Sequence, residues 1–360
     1  MKTVVRLIAS VLLAYSASSG AMEMLSARVM DAPRTYKINV LQVTDIAPYQ
    51  ESLDGFLKTL RDSGIVQGEN LVIRRVKIDF DLENGGFWDR MAVLRRIKDE
   101  AEAIVMEKPD LVLTIGTPAT KYARSILELG RIPIVFTAVA NPVDAGSTSL
   151  LDGGPGMTGS TLHIDMLDSM KMVKEIFPNV TRIGMVHTDD ENGVTHVEGA
   201  RLSGEQLGIT VTSRLVSKQD SIIPPVKELF NDGKGVQMFA VPLDTYYAMR
   251  NYEPTHDLSD FAVEYKVPVV SFALVPVPGA VLYVGADFGL VGNLAGTQAV
   301  KILKYNKKPD VLPILRQEDP MVLIDPKRAA ALNLTLPPSV VKRKSLRPDG
   351  FWEIAAHGGE

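Results

Sequence analysis

The chain contains no cysteine in its 360 residues. That absence excludes disulfides, thiolate metal sites, a thiol nucleophile and the cysteine that would carry a lipid anchor, so stability must come from packing. Aromatic residues are few at 6%, the formal net charge is −4, and no basic stripe with interleaved aromatics occurs. An acidic chain of this kind repels phosphate backbones, and nucleic acid is not an expected partner. There are only five histidines, at 163, 187, 196, 256 and 357, and they are scattered. No Gly-x-Ser-x-Gly nucleophile sequence, His-Glu-x-x-His helix or Gly-rich phosphate loop is present. These gaps weigh against an enzyme, a metal centre or a cofactor, although a pair of carboxylates could still be catalytic.

What is present is a sizeable globular protein. Hydrophobic residues make up 46% and charged residues 23%, enough for a large core and, at this length, two domains. At the N-terminus, Lys2 and Arg6 precede an apolar run from Leu7 to Ala14, and small residues follow at Ser18, Ser19, Gly20 and Ala21. That order reads as a cleaved signal peptide over residues 1–21, and hence a periplasmic protein. The run is too short for a spanning helix, which needs about 20 residues.

From Lys37 onward, β-branched runs alternate with amphipathic stretches, the signature of an α/β fold with helices on both faces of parallel sheets. Strands are expected at 36–43, 71–78, 110–115 and 134–138, with helices at 49–63, 87–107 and 118–129 between them. A Gly-, Pro-, Ser- and Thr-rich stretch from Asn141 to Ser160 interrupts the alternation and is the expected crossing between domains. A second unit follows, with helices at 166–177, 191–207 and 222–230 and strands at 182–186, 210–215, 236–240 and 268–271. Later pieces, a strand at 281–284, a helix at 290–304 and short strands near 312–315 and 322–324, suggest a return to the first unit. The expectation is two doubly wound lobes, one from 36–159 plus 286–312 and the other from 160–285 plus 313–344, with a tail at 345–360.

In open parallel sheets, ligands sit beyond the carboxyl ends of the strands, so the loops after the strands are the candidates. Gly116-Thr117-Pro118-Ala119 follows an apolar strand and opens a helix. With Thr117 at the N-cap and Pro118 first in the helix, the free amides there suit a carboxylate, or the Thr117 hydroxyl simply caps its own helix. His187 to Asn192 occupies the same place in the second unit; Asp189, Asp190 and Glu191 read more readily as first-turn acids than as metal ligands with His187. Asp244 either pairs with a ligand ammonium or caps a helix beginning near Thr245. Near the later crossing, Asp287 is placed to hold a hinge amide, and Phe288 either stacks on an apolar ligand or packs in the core.

These segments, in this order, resemble the ABC-transporter substrate-binding family that includes tryptophan and tyrosine binders, built on the type I periplasmic binding fold. The resemblance spans about 37–337 and rests on an ordered set of short matches. They are Gln42 with Gly55-Phe56, Lys108-Pro109-Asp110-Leu111, Gly116 to Ala119, Ile132 to Val139, Asn141-Pro142-Val143, Met157-Thr158-Gly159, Pro242-Leu243-Asp244, Val284 to Phe288, and Ala329-Ala330 before Leu334 and Pro337. The resemblance implies two lobes joined by a multi-strand hinge. It implies that Thr117 to Ala119 and Asp244 engage an amino acid's carboxylate and ammonium, and that Gln42, Ala138, Asn141, Thr158 and Asp287 line or brace the cleft. Gly116, Pro118, His187, Asp190, Asn192 and Phe288 complete the candidate ligand contacts. A monomer that serves an ABC permease of the inner membrane follows, with a sensory module or a periplasmic enzyme as alternatives. The sequence departs from the family's pattern at Ile46-Ala47, Gln50, Asn141-Pro142 and His187-Thr188, all on cleft loops, so the ligand could differ from an aromatic amino acid.

Overall fold

The computed structural model describes residues 34–78, 87–274 and 277–355. The expected signal segment at 1–21 lies outside the described residues. In chain order, the first elements are β1 (Tyr36–Gln42), α1 (Ala47–Asp62), β2 (Leu71–Lys77), α2 (Phe87–Glu107), β3 (Leu111–Ile115), α3 (Thr117–Leu129), β4 (Ile134–Val139) and β5 (Met157–Thr161). The second run is α4 (Met166–Ile176), β6 (Arg182–His187), α5 (Glu191–Leu207), β7 (Thr210–Leu215), α6 (Ile223–Phe230), β8 (Met238–Val241), α7 (Glu253–Tyr265), β9 (Val269–Ser271) and β10 (Leu282–Gly285). The chain ends with α8 (Phe288–Leu303), β11 (Leu315–Arg316), β12 (Met321–Ile324), α9 (Pro326–Ala331), α10 (Pro338–Lys342), β13 (Lys344–Leu346) and β14 (Trp352–Ile354).

Two sheets result. The first has the order β11-β5-β4-β3-β1-β2 and is parallel throughout. β3 and β4 bury every residue, as the central strands of a sheet covered on both faces must. The second has the order β13-β14-β12-β10-β9-β8-β6-β7; it is parallel from β10 to β7 and antiparallel in its last three strands. The lobes are therefore α/β units of the expected class.

Their boundaries differ from the expectation. The stretch 141–160 does not cross: it turns within the first lobe and delivers β5, whose small residues pass beneath α8, with Ser160 Oγ donating to the Val291 carbonyl at 2.6 Å. The crossing comes at 162–165. Two more follow at 286–287, between β10 and α8, and at 317–320, between β11 and β12. β11 pairs with β5, so 315–316 belongs to the first lobe rather than the second. Residues 344–354 are no separate tail, because β13 and β14 extend the second sheet through β12. The crossings are tied together where the Asp287 N–H donates to Gln317 Oε1 at 3.0 Å.

Candidate functional site

The carboxyl ends of the central strands of both sheets open onto one cleft. Its outer chamber, about 1250 Å³, is lined from the first lobe by Thr44, Tyr49, Thr117, Pro118 and Lys121, and from the second by the 189–192 and 214–221 loops and Thr245. A narrow inner crevice of about 70 Å³ continues between the lobes and shares Tyr49, Asn192 and Thr245 with the chamber. The crevice is mostly apolar, with Pro48, Ala138, Leu162 and Phe288 facing Val241, Tyr247 and Val277.

The first wall begins at Gly116, which is the N-cap of α3 at φ 86°. A side chain there would suffer twice: the backbone is left-handed, and a Cβ would lie 2.4 Å from the Tyr49 hydroxyl. Thr117 is thus the first helical residue rather than the cap, and its hydroxyl is released from capping. It is 5% exposed, and its Oγ1 has no hydrogen-bond partner among the described residues. Pro118 lines the chamber, whereas Ala119 is buried in the core behind it and is not among the cleft-lining residues. Burial, with Asp190 nearby, raises the Tyr49 phenol far above its ordinary pKa and keeps it a neutral donor.

The second wall is the start of α5. Asp190 caps that helix through the N–H groups of Asn192 (3.0 Å) and Gly193 (3.5 Å), and its other oxygen accepts from Thr245 Oγ1 at 3.0 Å. This fixes Asn192, whose Oδ1 is buried without a partner among the described residues. Two unsatisfied polar atoms, Thr117 Oγ1 and Asn192 Oδ1, therefore belong to residues that line the same chamber from opposite lobes. Above them, Lys121 Nζ reaches across to Glu191 at 2.8 and 3.1 Å.

Asp244 lies in the crevice wall, but its oxygens are already engaged. They accept from the Thr188 N–H (2.7 Å), the Thr188 hydroxyl (3.0 and 3.1 Å) and the Tyr246 N–H (2.9 Å). It caps the 3-10 turn Thr245–Ala248 and braces the loop that carries Asn192. Burial, then the neighbouring Asp190, raise its pKa against the pull of those hydrogen bonds.

The other candidates divide by place. Ala138, at φ 54°, lines the crevice, as does Phe288, which also packs in the first lobe's core. Gln42 is fully buried one step behind the chamber; its carbonyl receives Arg75 at 2.7 and 2.9 Å and its amide holds the Thr44 carbonyl at 2.9 Å. Asp287 caps α8 through the Leu290 N–H at 2.7 Å. Asn141, Thr158 and His187 are not among the cleft-lining residues. Asn141 closes a turn onto the Val143 N–H, Thr158 Oγ1 donates to the carbonyls of Leu312 and Pro313, and His187 Nδ1 donates to the Thr188 carbonyl. Sequence reasoning passed over Tyr49, Lys121, Tyr247 and Tyr252. Lys121 was findable, since it follows Thr117 by one helical turn on the same face.

Among the described residues, no group of His, Asp and Glu is placed to hold a metal ion, and no helix is long and apolar enough to cross a membrane. The architecture has solved counterparts. A domain from Streptococcus pneumonia in complex with L-Trp is similar at a TM-score of 0.71 and 24% identity, with 86% of this chain and 98% of that one covered. A ligand-free, open substrate-binding protein with adhesive properties from Clostridium difficile is similar at a TM-score of 0.67 and 23% identity, covering 84% and 97%. In sequence, the chain is 24% identical over 328 residues to a tyrosine-binding protein of Clostridioides difficile (strain R20291), covering 90% of this chain and 89% of that protein. The family model described as ABC transporter substrate binding protein matches residues 37–345, through both lobes and all three crossings, and the chain belongs to that family of binding proteins rather than enzymes.

Proposed function

We propose that the protein is the periplasmic receptor of an ABC importer, that it closes as a monomer on one amino acid with an apolar side chain, and that it presents the closed form to a permease in the inner membrane. The names of its relatives, a tyrosine binder and a domain solved with L-Trp, support an amino acid as the ligand class. The observation that carries the reading is the pair of buried, unpartnered atoms on facing walls, Thr117 Oγ1 and Asn192 Oδ1. A buried polar group without a partner is costly and persists where something else satisfies it. The ligand carboxylate accepts from the Thr117 hydroxyl and the open amides of the α3 N-terminus, where the helix dipole favours negative charge. The ammonium donates to Asn192 Oδ1, with Asp190 and Asp244 behind it, and the side chain enters the apolar crevice. A guest held by both lobes favours the closed arrangement by its differential affinity for it.

The test is calorimetry with L-tyrosine, L-tryptophan, L-phenylalanine and L-leucine on the parent protein and on Thr117→Val and Asn192→Leu. Each variant is expected to lose about tenfold or more in affinity, as for a lost hydrogen bond to a charged group. The ligand-free Thr117→Val protein is expected to melt no lower than the parent, because it sheds an unsatisfied hydroxyl. Unaltered affinity in both variants rejects the assignment.

A further inference from the structure

The second lobe's side of the crevice rests on a turn with unusual backbone geometry. Arg250, Asn251 and Tyr252 have successive φ values of 48°, 51° and 62°. Side chains other than glycine, asparagine and aspartate disfavour this left-handed region, and a run of three persists only where the surroundings enforce it. Arg250 supplies most of the enforcement. Its guanidinium donates to the Lys218 carbonyl and, at 3.4 Å, to that of Asp220; it pairs with Glu253 at 3.0 Å and lies 5.4 Å over the Tyr246 ring. The Tyr246 hydroxyl donates to the same Asp220 carbonyl at 2.8 Å, and Thr255 Oγ1 holds the Tyr252 carbonyl at 2.6 Å. The 218–220 rim of the outer chamber is thus fastened to the turn that presents Tyr252 to the crevice.

Around that crevice most of the wall has little freedom. Ala138, Val241 and Ala273 belong to strands or strand ends packed in the two lobes, and Phe288 is 4% exposed in the first lobe's core. Tyr252 stands on a turn, half-buried, with a large side chain whose removal would enlarge a space of only about 70 Å³. We propose that Tyr252 determines how large an apolar side chain the crevice admits, and that Arg250 is the positioning residue that keeps Tyr252 in the wall. The proposal rests on the cleft being an amino-acid site.

The experiment measures dissociation constants of L-valine, L-leucine, L-phenylalanine and L-tryptophan for the parent protein, Tyr252→Ala, Tyr252→Phe, Arg250→Met and the Tyr252→Ala/Arg250→Met double variant. Tyr252→Ala is expected to move the valine-to-tryptophan ratio at least about tenfold toward the larger ligand, the scale on which pocket volume discriminates. Tyr252→Phe keeps the ratio. Arg250→Met moves it in the same direction, and adds less than about twofold once Tyr252 is already alanine, as coupled residues do. Tyr252→Leu serves if the alanine variant does not fold. Uniform weakening across the four ligands overturns the proposal and leaves the receptor reading intact. If the parent binds none of the four, the receptor reading falls and takes the proposal with it.

Discussion

At the scale of single residues, the cleft turns on which oxygens are spoken for. Asp244 was conspicuous in the sequence because it follows a strand and opens a helix, but that position supports capping and ligand pairing equally. A pattern cannot show where a carboxylate points. In the structure the carboxylate accepts from Thr188 and Tyr246, so it serves the loop before it serves a guest. Asp244→Asn replaces an acceptor with an NH₂ group that must face one of those donors. The expected cost is about 2 kcal/mol in unfolding free energy, that of a buried donor left unmatched. Denaturant titration is expected to register this loss more strongly than calorimetry registers weaker binding. The reverse order would return Asp244 to direct ligand contact. For Thr117, the opposite shift occurred: the motif was legible, but placing the cap at Thr117 rather than at Gly116 concealed that its hydroxyl is unengaged.

At the scale of elements, most strands and helices were legible because their apolar periodicity is strong. β3 and β4 are apolar runs broken only by Thr114 and Thr137, and α2 and α5 have the bounds the pattern predicts. The misses have physical causes. β5 is Met-Thr-Gly-Ser-Thr, whose small polar residues resemble loop composition, yet every one is buried because α8 passes close above it. β13 and β14 flank a Pro-Asp-Gly turn, but at three residues each they are too short for their alternation to announce strands. The pairing of α1 with α8 was also invisible, since its signal is an alignment of glycines distant in sequence. A Cβ on Gly292 would lie 1.9 Å from the Ser52 carbonyl oxygen, and one on Gly55 would lie 2.1 Å from that of Gly289. The two helices are in near backbone contact, and their N-terminal turns carry Tyr49 and Phe288 into the cleft. Gly292→Ala is expected to destabilise the protein by about 3 kcal/mol, the upper end for overpacking, despite alanine's better helix propensity. Forcing the helices apart displaces both cleft residues, so affinity falls with stability. A variant that melts like the parent would show that the pair can separate freely.

At the scale of the whole molecule, the groups set between the lobes respond differently to solvent. The Lys121–Glu191 bridge spans the mouth, but with side chains 33% and 58% exposed it contributes at most about 1 kcal/mol. Deeper in, His163 lies on the crossing after β5 and His196 on α5, where His163 bears on the protonation of His196. Burial, then His163, lowers His196 to about 4; burial, then Arg316, lowers His163 against the opposing effect of Asp165. The Leu243 N–H donates to His196 Nδ1 at 3.3 Å and so fixes the neutral ring. His196 also lines a small cavity beside the crossings, with Leu162, Ile164, Ala286 and Phe288. Because its folded pKa lies below the ordinary 6.5, the unfolded chain takes up the proton first. The stabilisation is complete above about pH 6.5 and is lost as the pH falls toward 4, amounting to roughly 3 kcal/mol in full. Asp244 works the other way: its raised pKa gains stability as it protonates in acid, which offsets part of the loss. His196→Gln keeps an acceptor for the Leu243 N–H and removes the titration. Between pH 7 and pH 4.5, the loss of unfolding free energy is expected to be smaller in this variant by roughly 2 kcal/mol. Equal pH slopes in parent and variant would place the acid sensitivity elsewhere. Since the proton enters beside the crossings and against the Leu243–Asp244 loop, the same comparison made on ligand affinity is expected to show weaker binding in acid for the parent and a flatter profile for His196→Gln.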